Sequence, residues 1–137
     1  MKSDHLLLGD YVTVCKGRMI YSLRKKKGAT TMLNMNTEQY ENAIKVPGQY
    51  VLVEFWAPWC IYCRRIAPVM DRISKKYEHE LMIGQVNIDE EQELAEKESI
   101  EVVPTLVLYR DGKSVGSMVA PESKTKIEAF IDAFRGK

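Results

Sequence analysis

Hydrophobic and polar positions along this chain alternate between two periods, and the switches mark its elements. Tyr50–Trp56 is a continuous β-prone run, the pattern of a central strand covered on both faces. Leu81–Asp89 reads as a second buried strand, and Thr30–Asn34 as a short one. Thr105–Tyr109 and Ser114–Val119 flank Asp111-Gly112, a two-residue hairpin signal. Helical spacing predicts helices at about 38–45, 60–77 and 125–134, with a short acidic one at Glu91–Lys97. Asn36 or Thr37 is placed to cap the first, and Pro47-Gly48 ends it. Pro68 interrupts the second and should kink it, because proline removes a backbone donor and crowds the preceding turn. The last presents Ile127, Phe130, Ile131 and Phe134 on one face. The order βαβαβαββα predicts an α/β fold, a mixed central sheet with helices on both faces.

Ahead of this block the pattern weakens. Tyr11–Cys15 and Met19–Leu23 read as two short strands around Lys16-Gly17-Arg18, a hairpin pattern, followed by the charged run Arg24–Lys27. The division expected is a basic extension at 1–29 and one domain at 30–137. Charge changes the picture here. The net charge of +1 over 137 residues hides a split: residues 1–33 carry seven Lys/Arg against two Asp, a net of +5, and the remainder nets −4. No field of the whole chain argues for nucleic acid or a membrane partner, and no run of 18 apolar residues predicts a spanning helix. Leu6-Leu7-Leu8 is too short for a secretory signal, so the expected location is cytoplasmic.

The candidate chemistry is Cys60-Ile61-Tyr62-Cys63, directly behind the strand ending in Trp56. Two thiols two residues apart at a helix start can close a small disulfide ring. The free N–H groups and positive dipole end there favour the thiolate of the first, the form that attacks disulfides. Three cysteines are too few and too odd for a secreted disulfide scaffold, which leaves Cys15 as a bystander. A zinc site would need two more ligands, and only Cys15, His5 and His79 remain, all remote in sequence, so no metal is expected. Glu54 stands in an apolar strand, where an unpaired carboxyl is costly to bury, and this marks it as catalytic rather than structural.

Phe55-Trp56-Ala57-Pro58-Trp59-Cys60-x-x-Cys63, Ile66-Ala67-Pro68, Val86-Asn87-Ile88-Asp89, Val103-Pro104-Thr105 and Asp111-Gly112 resemble the thioredoxin family over residues 30–137. The resemblance implies a protein-disulfide reductase of the thioredoxin fold, with no bound cofactor, working as a monomer on disulfide-bearing client proteins. An NADPH-dependent flavoprotein, a thioredoxin reductase, would re-reduce it. Cys60 would be the exposed nucleophile and Cys63 the buried resolving thiol. Glu54 would be the buried acid that takes the Cys63 proton. Trp59, Ile61, Tyr62, Val103, Pro104 and Ala120 would meet the substrate, Pro104 as a cis-proline, while Trp56 and Pro68 would support the site. Five positions depart from the family pattern. Glu54 replaces the usual Asp, and Gln85 stands where its lysine partner is expected. Ile61-Tyr62 replaces Gly-Pro between the cysteines, and Ala120 replaces a groove glycine. The dipeptide leaves an oxidant or isomerase open as an alternative, and a partner-docking module with little turnover is the other.

Overall fold

A computed structural model describes residues 10–15, 18–23 and 32–135, with side chains from residue 32 onward. The expected strands around residue 17 are present: β1 (Asp10–Cys15) and β2 (Arg18–Leu23) pair antiparallel from Asp10↔Leu23 to Cys15↔Arg18. The Lys16-Gly17 part of the expected turn and the Arg24–Lys27 run lie outside the described residues.

The main unit follows the expected order. It runs β3 (Leu33–Asn34), α1 (Thr37–Ile44), β4 (Tyr50–Trp56), α2 (Ile61–Lys76), β5 (Met82–Asn87), α3 (Gln92–Lys97), β6 (Thr105–Arg110), β7 (Lys113–Val119) and α4 (Lys124–Arg135). The sheet order is β3-β5-β4-β6-β7. β4 is central, parallel to β5 and antiparallel to β6. This is the thioredoxin fold.

Strand periodicity divides β4 between two cores. Val51, Val53 and Phe55 pack with Tyr40, Ala43 and Ile44 of α1 and Leu94 of α3. Leu52 faces the other way, against Ile66, Met70 and Ile73 of α2 and Ile127 and Ile131 of α4. Glu54 and Trp56 share the parity of Leu52. Tyr40 anchors the first core, edge-on to Phe55 and Tyr109.

Local chemistry explains the boundaries. Asn36 caps α1 in a capping box, its Oδ1 accepting from Gln39 N–H at 2.8 Å. Asp111 (φ +53°) and Gly112 (φ +82°) both adopt the left-handed conformation that a two-residue hairpin between right-twisted strands needs. Pro68 lies inside α2, which continues through it, and faces solvent, where water can satisfy the carbonyl that loses its donor. The expected stripe on α4 is only half buried. Ile127 and Ile131 are enclosed, whereas Phe134 meets Phe130 edge-on with centroids 5.2 Å apart and stays 41% exposed.

Candidate active site

The sequence places Cys60 one residue before a helix, and that position makes it the N-cap of α2. Its Sγ accepts the Cys63 N–H at 3.1 Å, so sulfur takes the role that a hydroxyl or carboxylate oxygen plays in an ordinary cap. Cys60 and Cys63 are joined in a disulfide with Cα atoms 5.3 Å apart, within the normal range. On reduction, the same cap N–H and helix end favour a thiolate at Cys60.

The expectation that Cys60 is exposed needs correction. Its relative exposure is 6%, against 4% for Cys63. The cysteines pack with Ala57, and Trp56, Tyr62, Ile88 and Val103 close round them. Cys60 Sγ lies 3.7 Å from the Val103 carbonyl oxygen. Its neighbours are the exposed residues: Trp59 at 61% and Ile61 at 65%. An incoming disulfide therefore meets a rim of apolar side chains before it meets sulfur.

Three connections converge on the pair. The Val103-Pro104 peptide bond is cis, as the resemblance implies, and Pro104 is buried. Ala120 N–H donates to the Pro104 carbonyl at 2.8 Å, which brings the end of β7 beside the cis-proline turn. Ala120 has φ +46°, the left-handed region that glycine enters freely and alanine does not. The residue expected to reshape the groove by its methyl thus also carries backbone strain. Trp59 Nε1 donates to Asp89 Oδ1 at 3.2 Å, which orients the exposed indole. Trp56 packs against the cysteines, and its buried Nε1 has no partner among the described residues.

Glu54 is 3% exposed, on the α2 side of the sheet. Burial pushes its carboxyl from 4.5 up to about 8, and desolvation is the one cause acting. Gln85 is its register partner on β5, as the sequence comparison expects, and the amide of Gln85 is turned to Asn34 Oδ1 at 2.8 Å. Among the described residues, no cation offsets the burial.

Two contacts of the site were not legible in the sequence. Asp89 belongs to a motif that carries the resemblance, yet nothing local shows that it meets Trp59. The Tyr62 hydroxyl donates to the Pro121 carbonyl at 2.6 Å, across 59 residues of chain. Arg64 and Arg65 are exposed on α2, and His79 is exposed beside Glu78. Among the described residues, no cluster of three or more His, Cys, Asp or Glu could hold a metal ion, and no helix is long and apolar enough to cross a membrane.

Known proteins are similar to this chain in sequence. The family model described as "Thioredoxin" covers residues 31–133. The chain is 35% identical to "Thioredoxin" of Pseudomonas aeruginosa over 102 residues, 74% of this chain and 94% of that protein. It is 36% identical to "Thioredoxin 1" of Synechococcus elongatus over 104 residues, 76% of this chain and 92% of that one. "Thioredoxin" of Buchnera aphidicola subsp. Baizongia pistaciae is 39% identical over 84 residues, 61% of this chain and 77% of that protein.

Proposed function

The chain belongs to the thioredoxin family of protein-disulfide oxidoreductases, and we propose that Cys60, Cys63 and Glu54 carry the reduction of client disulfides. The observation that carries this reading is the Cys60–Cys63 disulfide at the N-cap of α2, beside a cis-proline turn.

In the reduced protein the Cys60 thiolate attacks one sulfur of the client disulfide. That S–S bond breaks, its other sulfur leaves as a thiolate that takes a proton, and a mixed disulfide joins client to Cys60. Cys63 then gives up its proton and attacks Cys60 Sγ. The mixed disulfide breaks, the second client thiol leaves, and the Cys60–Cys63 bond holds the two electrons' worth of oxidation. Glu54 is the proton acceptor for Cys63, through a water. A carboxyl titrating at about 8 is close to an ordinary thiol at about 8.5, so transfer between them is nearly balanced.

Trp59, Ile61 and Tyr62 form one side of the client surface, and Val103, Pro104 and Ala120 the other, with the Val103 backbone open to an extended client segment. Trp56 supports the site from behind, and Pro68, on the solvent face of α2, supports it through that helix. Residues 30–137 are the catalytic domain, which the family match at 31–133 supports, and residues 1–29 are a basic appendage. An NADPH-dependent flavoprotein, a thioredoxin reductase, returns the electrons. The protein works as a monomer, its sheet covered on both faces by its own helices. It serves electron transport and cell redox homeostasis in the cytoplasm, in keeping with a chain of three cysteines rather than a disulfide scaffold.

Cys63→Ser tests the reading. Without the resolving thiol, clients should accumulate as mixed disulfides on Cys60 that dithiothreitol releases, and Cys60→Ser should capture none. Equal capture by both variants would defeat the assignment. The potential of the couple then fixes direction: about −270 mV marks a reductant, and about −180 to −120 mV an isomerase or oxidant.

A further inference from the structure

The Ile61-Tyr62 dipeptide does more than separate the cysteines. The Tyr62 phenol reaches from the first turn of α2 to the Pro121 carbonyl, 2.6 Å away, in the connection between β7 and α4. Pro121 is buried, and Ala120 before it is tied to the Pro104 carbonyl at 2.8 Å. The helix start, the cis-proline turn and the β7–α4 connection are thereby linked through residues 62, 121, 120 and 104. Ala120 holds φ +46° within this link. Alanine persists in that conformation only where its surroundings over-determine it, and the Tyr62 bond on one side and the Pro104 bond on the other are what the structure supplies. The two sides also carry exposed apolar side chains: Ile61, 65% exposed, beside Tyr62, and Val119, 55% exposed, beside Ala120.

We propose that Tyr62 is a positioning residue that selects protein disulfides: its bond to Pro121 holds the Ala120-Pro121 segment at a fixed distance from Cys60, setting the width of the groove that receives the client chain. The proposal rests on the reductase reading above. A small disulfide needs only to reach sulfur and is indifferent to this width. A protein disulfide must lay a chain segment beside Cys60, and ordering that segment costs free energy if the structure has not already fixed its path.

The test follows single-turnover oxidation of the prereduced protein by insulin and by the small aromatic disulfide DTNB. Tyr62→Phe keeps the ring and removes only the hydroxyl. It should raise the half-saturating insulin concentration about three- to tenfold, the range a hydrogen bond's net contribution allows. The loss with insulin should exceed any change in the second-order rate with DTNB by at least about threefold. In an Ala120→Gly background, where the segment no longer needs holding against strain, the same substitution should cost less than about twofold. Unchanged half-saturation, or a DTNB rate that falls in step with insulin, would overturn the proposal. Wild-type protein inert toward both disulfides would instead sink the reductase reading, and this proposal with it.

Discussion

Glu54 makes the fold sensitive to pH in a direction that can be worked out beforehand. Its carboxyl titrates at about 8 in the native state and at 4.5 without burial. Below pH 4.5 it is protonated whether the chain is folded or not, and the full stability is present. Between 4.5 and 8 the unfolded chain ionises it while the fold holds the proton, so the unfolded state gains with every step in pH. Stability falls by about 1.36 kcal/mol per pH unit, about 5 kcal/mol across the whole interval, and the loss is complete above pH 8. That is a large part of the 5–15 kcal/mol typical of a domain (~0.1 kcal/mol per residue). Glu54→Gln keeps the shape and removes the titration. Urea unfolding of the oxidised proteins, followed by far-UV circular dichroism at pH 4 and pH 8.5, isolates the contribution, because every other group titrates alike in both. The Gln variant should gain about 5 kcal/mol on the wild type between the two pH values. Parallel pH dependences would show that Glu54 ionises normally in the fold, and would remove the basis for its role as proton acceptor.

Two further substitutions probe the backbone around the site. Gly84 of β5 opposes Leu33 of β3, and an added Cβ would sit 2.7 Å from Met35 Cε and 3.1 Å from the Leu33 carbonyl oxygen. Gly84→Ala should therefore loosen β3 and cost about 1–3 kcal/mol in urea unfolding; a change under about 0.5 kcal/mol would mean that the edge strand yields freely. Ala120→Gly should raise stability by about 1 kcal/mol, since relief of the left-handed alanine outweighs the added freedom of the unfolded chain. A lower midpoint would show that Ala120 is not strained.

Much of the fold was legible because the relevant physics is local. The apolar run of β4, the cap at Asn36 and the Asp111-Gly112 turn each follow from residues within a few positions of one another. The partial exposure of Phe134 was not legible, because helical spacing shows which residues share a face but not how far the neighbouring sheet extends over it. Within the site, Cys60 and Cys63 could be read directly, since their spacing and the helix start after them specify a disulfide. The near-burial of Cys60 could not, because it depends on Trp56, Ile88 and Val103 arriving from three separate stretches of the chain.

By itself, then, the sequence determined the elements, their order and the redox pair, all of which rest on periodicity, capping and short-range spacing. Only the tertiary structure decided the environment of that pair. It ordered the strands as β3-β5-β4-β6-β7, set Ala120 in a left-handed conformation against Pro104, and joined Tyr62 to Pro121. Each of these depends on contacts between segments distant in the chain. No local pattern encodes them, because the free energy that fixes them comes from burial and hydrogen bonding that exist only once the layers have packed.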